Sequence, residues 1–225
     1  GTVDYVVAGG MESMTNAPYL LKKHRSGARL GHDTAYDHMF LDGLEDAYEE
    51  GRAMGTFAQE TANEYQLTRE EMDDYSIESL RRANAAIESG AFDGEVVPVT
   101  IVTRKGETTV EHDEAPSKGK PDKIPQLRPA FAKDGTITAA TSSSISDGAA
   151  AVVLSRESVA KENGQTPVAK IVGLAAHAQE PSKFTVAPIG AIEKLLEQTG
   201  WSAEDVDLWE VNEAFACVAM FAMRD

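Results

Sequence analysis

Asn212 lies where residue types and spacing point most directly to chemistry. It follows residues 206–211, VDLWEV, which are typical of a strand, and a helical run begins at Glu213. In open α/β sheets, ligands bind beyond the carboxyl ends of strands and beside helix N-termini. The Asn212 amide therefore either caps the following helix, the commoner use of Asn there, or faces a substrate or a held water.

Two further segments carry polar groups that could hold a ligand. Ser142, Ser143 and Ser144 precede the apolar run at residues 149–154, and their hydroxyls either bond a ligand amide or satisfy a turn. The loop at residues 115–133 is either a solvated loop or a phosphate patch. It carries five basic side chains and one acidic one: Lys118, Lys120, Lys123, Arg128, Lys133 and Asp122.

Cys217 is the one cysteine, so an intramolecular disulfide is impossible and a reducing, cytoplasmic setting is expected. It lies in an apolar helical run, residues 214–220, where a thiol is usually a small core residue. The five histidines have no zinc-ligand spacing, and the sequence contains no Walker loop, G-x-G-x-x-G or G-x-S-x-G motif. We therefore expect neither a metal nor a bound cofactor.

The composition restricts the partners. A formal net charge of -16 argues against nucleic acid, because phosphates would be repelled. No apolar run is long enough to cross a bilayer, so no membrane partner is expected. Gly1 runs almost directly into strand-like residues 3–8, which suggests a chain cut inside a longer protein.

Several local patterns predict the elements of the first two thirds of the chain. A strand at residues 3–8 ends at Gly9-Gly10, and helices are predicted over residues 42–50 and 56–65. Thr68 and Glu71 form a capping box for a longer helix that Gly90 stops. Strand-like residues 96–102 and 107–112 flank Lys105-Gly106, which predicts a hairpin.

The last third predicts strands that are buried on both faces and a β-α-β unit. Residues 149–154 are uninterruptedly apolar, as in a strand covered on both sides, and a short helix follows as far as Gly164. A strand at residues 168–174, a helix from Pro188 to a stop at Gly200, and a parallel strand at residues 206–211 complete the pattern.

Four segments, in this order and spacing, resemble the thiolase family and in particular its biosynthetic-type acetyl-CoA acetyltransferases. They are VAGGMESM at residues 7–14, LRPAF at 127–131, SISDGAA at 144–150 and VNEAFA at 211–216. Each is weak to moderate alone, and the last is the most specific. Together they extend over essentially the whole chain.

The resemblance implies an α/β, thiolase-like fold with incomplete layered α/β halves and an inserted α+β loop domain that covers coenzyme A (CoA). Residues 1–10 would end a first-half strand, 11–141 would form the loop domain, 142–164 would return to the first half, and 165–225 would start a truncated second half. The basic loop would then serve the CoA phosphates.

The resemblance also assigns roles to matching positions. Asn212 would fix a water in an oxyanion hole that stabilises an enolate. Ser143 would contact the pantetheine arm, Phe215 would pack beside the thioester, and Arg128 would lie near the nucleotide. The residues that line the tunnel around the pantetheine arm would be Ala139, Phe131, Leu44 and Met54. Two positions depart from many relatives: Thr141 replaces an Asn, and Ala53 stands where some relatives have a His.

The implied reaction is ping-pong acetyl transfer between CoA thioesters, with acetyl-CoA and acetoacetyl-CoA as substrates. The family's nucleophilic Cys, its activating His and its second Cys match no residue here and would lie outside residues 1–225. Two alternatives stay open: a longer-chain 3-ketoacyl-CoA thiolase, or an inert fragment with residual CoA binding. Family members are homo-oligomers, dimers or tetramers, and the tetramer contact would lie around residues 18–38.

Overall fold

The computed structural model describes residues 2–225, and six α-helices provide most of its regular structure. Gly1, the residue from which a cut end was inferred, lies outside this range. The helices are α1 (Met54–Glu64), α2 (Arg69–Glu88), α3 (Glu114–Lys118), α4 (Glu157–Glu162), α5 (Ala187–Thr199) and α6 (Ala216–Arg224). The strands are β1 (Tyr5–Glu12), β2 (Tyr19–Leu20), β3 (Tyr36–Asp37), β4 (Val99–Thr103), β5 (Gly106–Val110) and β6 (Gly148–Ser155).

The six strands form three antiparallel pairs, and β1 with β6 is the longest. Their register places Val7 opposite Val153. β1 continues through Gly9-Gly10 instead of ending there, and the backbone of β6 approaches Gly9 closely. A Cβ on Gly9 would lie 2.2 Å from the carbonyl oxygen of Ala150, so only glycine fits.

The prediction that residues 149–154 form a strand buried on both faces is half right. β6 forms, but Val152 and Val153 are 57% and 70% exposed. The physical reason is that β1 is the one strand paired with β6 among residues 2–225, and no layer covers the two-stranded ribbon.

The helix and hairpin predictions that rest on local signals are confirmed. The Thr68 hydroxyl accepts from the Glu71 amide at 3.2 Å, and the Glu71 carboxylate accepts from the Thr68 amide at 2.8 Å. α1 matches the helix predicted over residues 56–65. β4 and β5 form the predicted hairpin, with Gly106 at a φ of 125°.

The helix predicted over residues 42–50 is wrong. A π-helix, Phe40–Leu44, forms instead, and an irregular turn follows it. The Asp46 carboxylate accepts from the backbone amides of Tyr48 and Glu49 at 2.9 and 2.7 Å. These local side-chain bonds satisfy the backbone in a turn and so compete with a continued helix.

The β-α-β unit is right in its helix and wrong in its strands. Pro188 lies in the first turn of α5, and Gly200 at a φ of 72° is its left-handed C-cap. Residues 168–174 and 206–211 contain no strand, and Val168 and Leu174 are 104% and 78% exposed. A strand needs a neighbour for its ladder bonds, and no other segment of residues 2–225 pairs with these two.

The main core lies between α1, α2 and α6. Its aromatic side chains include Phe221, which is fully buried and whose ring centroid lies 4.5 Å from that of Tyr65. The buried members of this cluster are Ala58, Ala62, Leu67, Met72, Ile137, Phe215, Ala216, Cys217, Val218 and Phe221. Because α6 directly follows the N-E-A-F segment, this core anchors one side of the candidate site. No helix formed by residues 2–225 combines the length and apolar character that a membrane crossing requires.

Candidate active site

Residues 142–144, which we call the serine turn, pair through their backbone with the N-E-A-F segment, residues 212–215. Ser143 donates its amide to the carbonyl of Ala214 at 3.0 Å and its hydroxyl to the carbonyl of Glu213 at 2.6 Å. Ser142 pairs with Phe215 in an isolated antiparallel bridge. The structure therefore brings the two sequence-predicted candidates, Ser143 and Asn212, into one place, although they are 69 positions apart in the chain.

Two buried threonines hold the serine turn. Thr138 accepts from the amide of Ala140 at 3.2 Å, and its own amide donates to the Thr141 hydroxyl at 2.9 Å. The hydroxyl of Ser142 then donates to the Thr138 carbonyl at 2.8 Å. Thr141, one of the two departures from the family pattern, is thus a structural part of the turn.

Asn212 does not cap the following helix. α6 begins at Ala216 with Phe215 at the N-cap position, three residues beyond Asn212. Asn212 is exposed. The capping interpretation is therefore wrong, and the Asn212 amide is available to a ligand or a water.

Glu213 is held by α2. Its carboxylate accepts from the Tyr75 hydroxyl at 2.5 Å and from the Ser79 hydroxyl at 3.2 Å. Burial raises the pKa of Tyr75 well above its usual range, and the hydrogen bond to Glu213 and the charge of Glu213 add to that shift. The Tyr75 phenol therefore stays protonated at neutral pH and donates a hydrogen bond to Glu213.

An open groove of about 1020 Å³ lies between α2, the serine turn and the segment before α6. We call it the Asn212 groove. Its wall on α2 includes Tyr75 and Ser79, and its other walls are formed by residues 115–116, 140–144 and 209–213 and by part of α6. Hydroxyl groups, the Asn212 amide, three glutamates and one arginine line it together with the half-exposed Trp209 ring, so the groove can bond a polar ligand and also pack an apolar part.

An aromatic pair includes Phe215, the last residue of the N-E-A-F segment. Phe131 and Phe215 meet edge to face with ring centroids 5.9 Å apart. The Phe131 ring packs on Gly55, where a Cβ would come within 2.2 Å of the ring. Met54 starts α1 directly before that glycine. Two of the predicted tunnel residues, Met54 and Phe131, therefore lie in one neighbourhood with Phe215, which was predicted to pack beside the thioester.

The other predicted ligand residues are more dispersed. Leu44 ends the π-helix and is half-buried, and Ala139 is exposed at the start of the 3₁₀ turn Ala139–Thr141. Arg128 is exposed. Lys118 pairs with Glu114 at 3.0 Å, whereas Arg128, Lys120 and Lys133 form no ion pair with any described residue. None of Leu44, Ala139 and Arg128 lines the Asn212 groove.

Cys217 is a core residue, as its sequence context predicted. It is fully buried, and burial raises the pKa of its thiol to about 12. A thiol with that pKa is almost wholly protonated at neutral pH and cannot serve as a nucleophile. Within residues 2–225 no three His, Cys, Asp or Glu side chains are grouped in a way that could hold a metal ion.

Sequence reasoning missed two groups that shape this region. Tyr75 and Ser79 are four residues apart on α2, and this spacing places both hydroxyls on one helix face. Gln59 is buried, and its Oε1 accepts from the amides of Thr136 and Ile137 at 2.8 and 3.0 Å. It fixes the segment that leads to the serine turn.

Comparison with known families resolves the identity of the fold. The model of the N-terminal domain of thiolase matches residues 1–158, and that of the C-terminal domain of thiolase matches residues 165–225. The chain belongs to the thiolase family. The resemblance to thiolases inferred from the sequence is thereby confirmed for residues 1–158 and for residues 165–225.

Curated thiolase relatives match almost the entire chain. A probable acetyl-CoA acetyltransferase from Dictyostelium discoideum is 47% identical over 216 residues, which are 96% of this chain and 52% of that protein. Acetyl-CoA acetyltransferase 2 from Arabidopsis thaliana is 47% identical over 98% of this chain and 55% of its own length. This thiolase chain thus spans about half the length of the curated relatives it matches.

Solved thiolase structures confirm the α/β fold class. The Acat5 thiolase from Ascaris suum, solved in complex with coenzyme A, has a TM-score of 0.91 and 42% identity over 100% of this chain and 57% of its own. The acetyl-CoA acetyltransferase from Syntrophomonas wolfei has a TM-score of 0.90 and 40% identity over 98% of this chain and 55% of its own. The exposed β1–β6 ribbon and the unpaired segments of this chain therefore belong to a thiolase fold.

Proposed function

We propose that the protein to which this chain belongs is an acyl-CoA acetyltransferase of the acetoacetyl-CoA thiolase type. The observation that carries the proposal is the pairing of the serine turn with the N-E-A-F segment inside a chain that both thiolase domain models match. The relatives named acetyl-CoA acetyltransferase support the acetyl group as the transferred unit. The substrates are acetyl-CoA and acetoacetyl-CoA, and no prosthetic group is needed.

Asn212 is the electrostatic catalyst of this proposal. Its exposed amide, which does not cap α6, can hold a water whose hydrogen bond stabilises the negative charge that develops on an enolate oxygen. The neighbouring backbone is fixed by Ser143, so the amide starts from a restrained position. Such preorganisation reduces the reorganisation that the reaction step would otherwise require.

Ser143 and the apolar residues hold the CoA thioester. The Ser143 hydroxyl donates to Glu213, which leaves its oxygen lone pairs to accept an amide N–H of the pantetheine arm. Phe131, Phe215 and Met54 supply an apolar wall, and Leu44 and Ala139 extend it. Arg128, which has no ion-pair partner among residues 2–225, would contact the nucleotide phosphates.

Acyl transfer also requires a thiolate that these residues do not supply. Cys217 is buried and protonated, so the acetyl-enzyme must form on a cysteine outside residues 1–225. Residues 1–225 then contribute ligand binding and enolate stabilisation. The predicted internal divisions at residues 10, 141 and 164 stay part of this proposal.

Cytoplasmic location and homo-oligomer formation, as a dimer or tetramer, complete the proposal. The single cysteine suits a reducing compartment, and a matching acetyl-CoA acetyltransferase from Gibberella zeae is described as cytosolic. Residues 18–38 present Tyr19 and Leu30 at 70% and 102% exposure, and apolar side chains of that kind suit a contact between copies.

The test is thiolysis of acetoacetyl-CoA by the complete gene product that carries these residues. We expect activity in the wild type and a loss of about 100-fold in kcat for Asn212→Ala, the typical cost of one oxyanion-hole donor. Asn84→Ala, on α2 and away from the site, is the control. An inactive wild type would refute the proposal, and faster turnover of longer 3-ketoacyl-CoA would favour the longer-chain thiolase.

The 225-residue chain alone tests the second candidate function, CoA binding without transfer. The exposed serine turn and the basic loop favour it. We expect no acyl transfer and a rise in the thermal unfolding midpoint with millimolar CoA that Ser143→Ala reduces. An unchanged midpoint would leave an inert chain, and measurable transfer would contradict the nucleophile argument.

A further inference from the structure

Glu213 is fixed at both its side chain and its backbone. Its carboxylate accepts from Tyr75 and Ser79 of α2, and its carbonyl accepts from Ser143. The next residue, Ala214, is tied to the serine turn by a second backbone bond of 3.0 Å. The backbone that carries Asn212 is therefore held on its C-terminal side by four hydrogen bonds from two different parts of the chain.

We propose that Tyr75 is a positioning residue for Asn212, acting through Glu213, and that its hydroxyl influences the reaction step through this bond. The proposal rests on the proposed acetyltransferase function. It goes beyond that function because it assigns a catalytic influence to a side chain of α2 whose hydroxyl bonds Glu213 and not Asn212.

The geometry of the Tyr75 bond supports this assignment. A 2.5 Å O–H···O contact to a carboxylate is in the range of strong charge-assisted hydrogen bonds. Ser79 contributes a longer bond of 3.2 Å from the next turn of the same helix. α2 is itself anchored, since Met72, one turn before Tyr75, is fully buried in the main core. The hydroxyl thus ties Glu213 to a rigid element.

Glu213 directly follows Asn212 in the chain, so a change in how Glu213 is held affects the position of Asn212. Without the Tyr75 hydroxyl, the Glu213 side chain keeps only the longer bond to Ser79 and can turn into the open groove. The adjacent peptide then gains freedom, and the Asn212 amide loses its fixed direction towards the enolate oxygen. Small misplacements of a catalytic dipole reduce the reaction rate strongly.

The kinetic test compares Tyr75→Phe with wild type in the complete gene product. We expect kcat for acetoacetyl-CoA thiolysis to fall about tenfold, the effect of one lost hydrogen bond to a charged group. KM for CoA and the exchange of labelled CoA with acetyl-CoA should be unchanged, because acetyl-enzyme formation needs no enolate. Tyr48→Phe, at a site that is 84% exposed, is the matched control.

A double-mutant cycle separates positioning from general structural damage. In an Asn212→Ala background, the additional loss from Tyr75→Phe should vanish, because there is no amide left to position. Glu213→Gln, which keeps an oxygen acceptor for the phenol, should recover much of the kcat that Glu213→Ala loses. An equal loss in both backgrounds, or parallel losses in CoA exchange and thermal midpoint, would overturn the proposal.

A measurement on the 225-residue chain keeps this inference separate from the proposed function. The side-chain amide resonances of Asn212, assigned with Asn212→Asp, should shift in Tyr75→Phe and not in Tyr48→Phe. Such a shift with an inactive wild-type protein would refute the proposed acetyltransferase function and leave the Tyr75–Asn212 link in place. Absence of the shift, or a kcat for Tyr75→Phe equal to that of Tyr48→Phe, would refute the link.

Discussion

Cys217 shows how burial decides the chemistry of a single residue. Its thiol lies in the core between α1, α2 and α6, and its raised pKa of about 12 keeps it protonated. We expect an aromatic disulfide reagent at about pH 8 to label the native chain very slowly, because about one thiol in ten thousand is ionised there. Labelling should become complete after unfolding in guanidinium. Rapid stoichiometric labelling of the native chain, followed by the absorbance of the released thiolate, would contradict this.

Gly55 is a second residue whose role is decided by its neighbour. A Cβ at this position would lie 2.2 Å from the Phe131 ring, so Gly55→Ala must displace that ring from its place beside Phe215. We expect a loss of about 1–3 kcal/mol in the free energy of unfolding, the usual cost of overpacking a core. Urea unfolding measures it. Gly94→Ala, where a Cβ meets nothing within 4 Å, is the control, and equal effects of the two substitutions would refute the argument.

At the scale of elements, α2 links local sequence signals to the site. Its capping box, read from Thr68 and Glu71, forms as predicted because both partners lie within one turn. Its Tyr75 contact with Glu213 joins residues 138 positions apart and has no local signal. The first kind of bond can be read from the sequence, and the second requires the folded chain.

The raised pKa of Tyr75 predicts the alkaline behaviour of this element. The folded pKa exceeds the unfolded value of 10.0, so the stabilisation is complete below pH 10 and is lost as pH rises above it. Arg82 acts in the opposite direction but is the smallest cause. In urea unfolding between about pH 8 and 11, the stability advantage of wild type over Tyr75→Phe should shrink. A constant advantage across that range would contradict the assigned shift.

Element by element, the outcome of the sequence predictions follows the range of the interactions involved. α1, α2 and α5 form where caps, glycine stops and periodicity predict them. The helix predicted over residues 42–50 does not form, because the Asp46 carboxylate accepts hydrogen bonds from nearby backbone amides. The strands predicted at residues 168–174 and 206–211 do not form, because a strand needs a neighbouring strand and none of the described segments pairs with these two.

At the scale of the whole molecule, the β1–β6 ribbon exposes apolar side chains. Val7 and Val153 face each other in the register and are 74% and 70% exposed. Apolar strands with free edges pair readily with other chains. We therefore expect the 225-residue chain to self-associate, with light scattering giving a mass above 24.2 kDa.

A charged substitution tests the origin of that self-association. Val153→Lys should shift the chain towards monomer, because burying an unpaired lysine between copies is costly. Val97→Lys, at a similarly exposed valine outside the strands, should leave the association unchanged. A clean monomer in the wild type, or equal effects of the two substitutions, would show that the ribbon is not the contact.

The sequence by itself determined the thiolase family, the α/β class, the core position of Cys217 and the helices with local caps. These depend on motifs and on contacts within a few residues. Only the tertiary structure decided that Asn212 is no helix cap, that Ser143 bonds Glu213, and that Tyr75 reaches the same residue from α2. These contacts join residues that are 70 to 138 positions apart, and folding geometry, which has no local signature, brings them together.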